Sequence, residues 1–237
     1  MFILLSLFFA LGATHRHAAT SATPAQPNGG NGLPPPPPNV TLKFIALGFG
    51  VQNYTCGQQG GNSTAKGALA VLYDITNLHP DLGPSSLSQN DFDNLASNVL
   101  ANSPVPLNFR SSTEGRVDAN FPGASPTEPF VQDADLAVWG SKPLPFMGHH
   151  FFDSEGVPVF FSRDGQINMA VRLLKGVDAP KKDNAGKDTE SVQWLALKSK
   201  DDGKLVYRLL TAGGVAHGCK QAGDDSAAYA ATYWFYE

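Results

Sequence analysis

The alternation of side chains in residues 166–173 constrains the fold of this chain more than any other feature. Ile167, Met169, Val171 and Leu173 point to one face of an extended chain, and the residues between them point to the other. This period of two residues is typical of a β-strand with one buried face. The 24 glycines and 18 prolines are spread along the chain, which suits many short elements joined by turns. We therefore predict an all-β fold.

Short runs of the same kind recur through the chain. Turns around Gly156 and Gly165 join segment 166–173 to two preceding runs in a meander, because glycine accepts the positive φ that tight turns need. We expect about nine strands, at residues 43–46, 51–56, 68–74, 147–152, 157–162, 166–173, 192–198, 204–211 and 229–236. This pattern predicts a single antiparallel β-sandwich or barrel.

One segment follows a helical period instead. Apolar residues recur at three- and four-residue intervals from Phe92 to Leu100, after Asn90 and Asp91, and this spacing predicts an amphipathic helix of about three turns. The irregular residues 102–129 that follow contain few long apolar runs, and we interpret them as a long surface excursion. We therefore expect one short helix in this part of the chain.

Composition divides the chain into three parts. Residues 1–17 contain the apolar run FILLSLFFALG, which has the length of a signal peptide and is too short to span a membrane. Residues 18–40 end in a run of prolines and predict a Pro-rich disordered linker. Residues 41–237 contain every strand candidate and form the single β domain. We expect no membrane contact of the mature form.

Two cysteines and three sequons fit a secreted, extracellular protein. Cys56 and Cys219 form an even pair, which in an oxidising compartment indicates one disulfide; the alternative is two buried free thiols. Asn39, Asn53 and Asn62 each begin an Asn-X-Thr sequon and are candidate glycosylation sites.

The charge balance excludes one class of partner. Seventeen Lys plus Arg against 21 Asp plus Glu give a formal net charge of −4. Such a chain has no global positive field to attract a polyanion, so we expect no nucleic-acid partner.

Sequence motifs for cofactors and catalysis are weak. The segment that begins at Gly48 and reads GFGVQN lacks the third glycine of a dinucleotide fingerprint, so we expect no cofactor. His149 and His150 point to opposite faces of a strand, and no spacing defines a ligand set, so we expect no metal site. Asp153, Glu155 and Asp164 lie near hairpin turns, where turn formation and solvation explain them more simply than a glycosidase pair does. Catalytic residues stay unassigned.

Aromatic side chains offer a binding surface. Both faces of residues 229–236 carry aromatic area, and Trp139 and Trp194 add to it. If segment 147–152 lies near this strand, one groove would contain the four candidate ligand-binding residues, which are His150, Phe152, Trp234 and Tyr236. The alternative is that these rings pack in the core.

Six blocks of the chain, in order, resemble one family. They are GVQNYTC from Gly50, AVLYD from Ala70, GHHF from Gly148, VQWLALK from Val192, GGVA from Gly213 with Cys219, and the strand from Tyr229 to Tyr236. Together they resemble the family named domain of unknown function 3455. The resemblance implies a protein with a secretion signal and implies no known activity or catalytic residues. It also implies that the one short helix lies in an insertion between Asp74 and Val138. Fungal members often carry the label malate dehydrogenase, which these residues do not support.

From these observations we expect a secreted, extracellular or cell-wall-associated protein. The leading hypothesis is a non-catalytic module that binds a glycan, a cell-wall component or another extracellular partner through an aromatic groove. The alternative is an enzyme, either a carbohydrate-active hydrolase or an oxidoreductase as the family label suggests. A cluster of titratable groups in one pocket distinguishes the two classes.

Overall fold

A closed antiparallel barrel forms the protein. The computed structural model describes residues 24–26, 32–80, 82–138, 142–181 and 190–237. Each strand pairs with its neighbours in the sequence, and the last strand pairs with the first. The strands are β1 (Leu42–Cys56), β2 (Ser63–Asp74), β3 (Phe146–Phe152), β4 (Pro158–Ser162), β5 (Asn168–Val177), β6 (Trp194–Ser199), β7 (Leu205–Gly213) and β8 (Gly223–Tyr236). The all-β prediction is confirmed, and the architecture is a barrel.

The barrel has eight strands where the sequence predicts about nine, because the two runs at 43–46 and 51–56 belong to one continuous strand, β1. Gly48 and Gly50 lie between those runs and interrupt the apolar pattern without interrupting the strand. A Cβ atom at Gly48 would lie 2.4 Å from Cε2 of Tyr233. Glycine therefore makes room here for an aromatic ring in the barrel interior.

Side chains fill the barrel interior. The interior cluster draws on all eight strands and includes Ala46, Leu72, Phe160 and Tyr233. Small residues on β1 and β2 face the large rings of β8, which gives the close packing that an eight-stranded barrel requires. The hydroxyls of Tyr229 and Tyr233 lie 3.0 Å apart and form a hydrogen bond, so these buried polar groups have a partner.

A second core covers the outer face of the barrel. The outward residues of β1 include Phe49, and they pack with outward residues of β7 and β8 beneath two short helices. These helices are α1 (Gln89–Asp93) and α2 (Leu95–Asn102), and they meet at Asn94. The sequence predicts one helix over this segment. The amphipathic period is correct, and Phe92 and Val99 are fully buried.

The described part of the proline-rich linker packs on the domain. Leu33 is 3% exposed and belongs to the outer core. The hydroxyl of Tyr207 donates a hydrogen bond to the carbonyl of Pro34 at 3.0 Å. An apolar side chain and a tyrosine hydroxyl therefore hold residues 32–40 of the predicted linker against the domain. The predicted signal peptide, residues 1–17, lies outside the described residues.

The predicted disulfide is confirmed. Cys56 ends β1, Cys219 precedes β8, and their sulfur atoms are bonded. The bond closes the chain across a sequence separation of 163 residues. Within the residues that the structure describes, no helix is long and apolar enough to cross a membrane.

Candidate functional site

The four aromatic and histidine residues of the predicted groove lie on opposite faces of the barrel wall. His150 and Phe152 face the interior, where His150 stacks on Phe160. Trp234 and Tyr236 belong to the outer core. The structure therefore does not bring the four together in one groove. The reason is strand parity, because β8 places Tyr233 and Phe235 inside the barrel and the alternate residues outside.

Trp234 is enclosed on its own side of the wall. It is 2% exposed, and its ring lies edge-on to His79 and Phe92 with centroid distances of 5.0 and 6.3 Å. Its Nε1 donates a hydrogen bond to Oγ1 of Thr232 at 3.1 Å. These contacts are those of a core residue. Trp139, the other tryptophan proposed for a platform, lies outside the described residues.

Asp153 and Asp164 stabilise the hairpin turns in which they lie. Oδ1 of Asp153 accepts hydrogen bonds from the backbone N–H groups of Glu155 and Val157. Oδ1 of Asp164 accepts hydrogen bonds from the Ser162 hydroxyl and the Gln166 backbone N–H. These bonds lower the pKa of Asp164, with the Ser162 hydroxyl contributing most. Neither carboxylate lines the cavity described next.

A cavity of about 420 Å³ lies between one end of the barrel and the excursion that follows α2. We call it the loop cavity. The ends of β1, β2, β3 and β8, which are consecutive around the barrel, form one wall, and residues 110–130 of the excursion form the other. Its lining includes three cations, two carboxylates and four aromatic rings, which are Lys66, Arg110, Arg116, Asp224, Asp225, Tyr54, Phe130, Phe151 and Phe152.

Backbone pairing within the excursion holds the outer wall in place. Leu107 pairs with Phe130, and Phe109 pairs with Ala124, as isolated antiparallel bridges. The side-chain amide of Asn108 donates to the carbonyl oxygen of Phe130 at 3.0 Å. The excursion is thus a folded lobe with its own hydrogen bonds, although its sequence has no regular period.

The disulfide anchors this lobe to the barrel. Val117 packs against Cys56 and Cys219 in a small buried cluster. The backbone N–H of Val117 donates to the carbonyl of Asp224 at 2.8 Å, and the N–H of Asp224 donates to the carbonyl of Gly115 at 3.2 Å. The excursion therefore pairs with the first residues of β8, next to the crosslink.

Arg116 occupies the centre of this junction and is 2% exposed. Its Nε donates a hydrogen bond to the Phe121 carbonyl at 2.7 Å. The guanidinium lies against Gly123, where a Cβ atom would be 2.3 Å from Nη1. Gly123 has φ +68, a conformation that also favours glycine. Burial lowers the pKa of Arg116 and nearby Arg110 lowers it further, whereas the carboxylates of Asp224, Asp225 and Asp118 oppose this shift.

The buried Asp225 and the exposed His217 form a hydrogen-bonded pair beside the cavity. Asp225 is 1% exposed, and its two carboxylate oxygens accept hydrogen bonds from Nδ1 and from the backbone N–H of His217, at 2.8 and 2.9 Å. Nε2 of His217 lies 3.7 Å from Oδ2 of Asp118. The imidazole therefore lies between two carboxylates, and the Asp225 carboxylate already has two hydrogen-bond donors.

The remaining polar groups are more open. Nη1 of Arg110 lies 3.4 Å from Oδ2 of Asp224, in a half-exposed ion pair. Lys66 is exposed at the rim. Oδ1 of Asn53 accepts a hydrogen bond from the Ser226 hydroxyl at 2.7 Å, and both residues line the cavity. This part of the wall offers donors and acceptors side by side.

The aromatic part of the wall is half-buried. Phe151 and Phe152 end β3, and Phe130 comes from the excursion. Phe130 stacks on His149 with a centroid distance of 4.0 Å. Burial lowers the pKa of His149, although Asp133 opposes this shift. Of the four residues predicted as a groove, Phe152 is the one that lines the cavity.

No sequence pattern marks the cations and carboxylates of the cavity. Arg110 and Arg116 lie in the irregular excursion, and Asp224 and Asp225 lie more than a hundred positions further along the chain. The available signal was the length of the excursion, since long irregular segments inside a compact domain are usually functional.

The cavity suits binding of a polar molecule with some apolar surface. Among the described residues, no group of three or more His, Cys, Asp or Glu side chains could hold a metal ion. The arrangement instead combines planar rings with guanidinium, amide and carboxylate groups.

One sequence family matches this chain. Residues 36–237 match the family described as Protein of unknown function (DUF3455). No curated protein and no solved structure matches the chain significantly. The family match extends from the proline run to the end of the chain, covers the whole barrel and the excursion, and agrees with the resemblance of the six sequence blocks. The chain therefore belongs to the family Protein of unknown function (DUF3455).

Proposed function

We propose that this protein is a secreted, extracellular or cell-wall-associated module that binds a saccharide in the loop cavity without transforming it. The observation that carries the proposal is the composition of the cavity wall, in which three phenylalanine rings face guanidinium, amide and carboxylate groups. Aromatic faces pack against the C–H face of a sugar ring, and planar polar side chains bind its hydroxyls. A volume of about 420 Å³ is that of a small-ligand site.

Secretion is supported by two features. A disulfide joins Cys56 to Cys219, and stable disulfides belong to oxidising compartments. Asn39 and Asn62, which begin two of the sequons, are exposed.

A glycan-array screen tests the proposal, with matched phenylalanine variants. The protein should bind a restricted set of glycans, and Phe151→Ala should weaken that binding by about 10-fold, since one well-packed ring contributes on the order of 1 kcal/mol. Phe161→Ala is the control, because Phe161 is 43% exposed on β4 and does not line the cavity. Binding of no glycan at all, or equal loss in both variants, would contradict the proposal.

A hydrolase is the second candidate, and His217 is the observation that favours it. Asp225 orients the imidazole through Nδ1, as a carboxylate orients a general base. Incubating bound glycans with the protein and analysing the products by mass spectrometry tests this candidate. Under the binding proposal, no cleaved product forms, and His217→Gln does not change the outcome.

A further inference from the structure

The guanidinium of Arg116 makes no ion pair in the part of the chain that the structure describes, although three aspartates of the junction lie close enough to raise its pKa. Within the described residues, no carboxylate oxygen lies within 4.0 Å of it, and Nη2 has no hydrogen-bond partner. An arginine side chain has several N–H donors, and here the Phe121 carbonyl takes the one at Nε. A buried charge without a partner is costly, because the protein does not replace the hydration that it loses.

The nearby carboxylates do not supply the missing partner, because they are already engaged. Both oxygens of Asp225 accept hydrogen bonds from His217. Asp224 pairs with Arg110 across 3.4 Å. Lys66 adds a further positive charge to the cavity wall. The cavity therefore contains more positive charge than its own carboxylates neutralise.

We propose that the ligand of the loop cavity is an acidic saccharide and that Arg116 binds its anionic group. This inference rests on the proposed function and assigns the ligand class. The flat, forked guanidinium binds a carboxylate or a sulfate through two parallel N–H bonds. Arg110 on the excursion and Lys66 on β2 lie at the more open part of the cavity, where they attract the anion as it enters.

The anionic group has two chemical sources, a uronic-acid carboxylate and a sulfate ester. The probes are a tetramer of galacturonic acid, its methyl ester, which has the same skeleton without the charge, and a sulfated galactose tetramer. A glycan array is screened alongside these probes, so that the result does not depend on one sugar skeleton. It contains uronate, sulfated and neutral glycans in equal numbers.

Binding to the full chain is measured by isothermal titration calorimetry. We expect binding to acidic glycans alone, with the uronate and sulfate probes showing which source is preferred. Arg116→Gln and Arg110→Gln should each weaken the interaction, Arg116→Gln by about 10- to 100-fold, since a hydrogen bond to a charged group contributes strongly when buried. Arg172→Gln removes the same charge from an exposed position on β5 outside the cavity and should leave affinity unchanged.

A second readout separates ligand binding from a structural role. Without ligand, Arg116→Gln should melt at the same temperature as the unchanged protein or higher, because it removes a buried charge that makes no ion pair. A large fall in melting temperature would show that Arg116 is structural and would overturn the inference. Equal binding of neutral and acidic glycans would overturn it and leave the proposed function standing, whereas binding of no glycan would overturn both.

Discussion

The imidazole of His150 lies parallel to the ring of Phe160 inside the barrel, with a centroid distance of 4.2 Å and an angle of 7° between the planes. Its Nδ1 donates a hydrogen bond to the carbonyl of Val159 at 2.8 Å, which requires the proton on that nitrogen. Burial lowers the pKa of His150 to about 4. The neutral imidazole is therefore part of the interior packing.

This buried histidine should make stability depend on pH. The unfolded chain, in which His150 titrates near 6.5, binds a proton before the folded chain does as pH falls. The contribution to stability is therefore complete above pH 6.5 and decreases as pH falls towards 4, by about 3 kcal/mol. Urea unfolding between pH 4 and 7.5 measures the effect. His150→Phe should show a flatter profile, and parallel profiles would contradict the assignment.

Gly50 should tolerate no side chain. A Cβ atom there would lie 1.9 Å from the carbonyl oxygen of Leu69 and 2.7 Å from Cα of Ala70, and both are backbone atoms of the paired strand β2. Gly50→Ala should cost about 3 kcal/mol of unfolding free energy, because the strands must separate. Gly57→Ala is the matched control, since nothing lies within 4 Å of its Cβ position. Chemical denaturation of both variants measures the difference, and similar values would exclude this close strand contact.

The bond between Cys56 and Cys219 should contribute strongly to stability. It closes a sequence separation of 163 residues, for which the chain-entropy model gives about 5 kcal/mol. The double variant Cys56→Ser with Cys219→Ser should melt at a much lower temperature than the unchanged protein. Alkylation of the unreduced protein, followed by intact-mass measurement, should detect no free thiol. Two alkylated thiols in that sample would show that the bond does not form.

Trp234 should stabilise the fold and should not contact a ligand. Its ring is buried against Phe92 and His79 on the outer face of the barrel. Trp234→Ala should lower the free energy of unfolding by about 3–5 kcal/mol. Phe161→Ala, at an exposed ring on β4, should have little effect. Thermal unfolding compares the two, and a small loss for Trp234→Ala would favour the groove interpretation instead.

Two of the three sequons should carry glycans. Asn39 and Asn62 are exposed, whereas Asn53 is half-buried in β1, bonded to Ser226 and part of the cavity wall. A glycan on Asn53 would occupy the loop cavity and break that hydrogen bond. After expression in a eukaryotic secretory host, glycopeptide mass spectrometry should find Asn39 and Asn62 modified. Residual glycan on Asn39→Gln with Asn62→Gln would contradict this assignment.

The sequence by itself determined the local elements. Alternation at Ile167, Met169 and Val171 predicted a strand there, and the period from Phe92 to Leu100 predicted helix, because burial of one face imposes these spacings. With two cysteines in the chain, the disulfide had one possible pairing. Gly48 and Gly50 have no side chains to continue the apolar pattern, so one continuous strand resembles two short runs in the sequence.

Tertiary structure alone decided which faces meet. Alternation separates the two faces of each strand, but it does not say which face of β8 joins which face of β3. The register of the closed barrel places His150 inside and Trp234 outside. The loop cavity depends on an isolated backbone bridge between Arg116 and Asp224, which joins the irregular excursion to the last strand. Long-range packing and backbone pairing determine such a junction, and the local spacing of residues predicts neither of them.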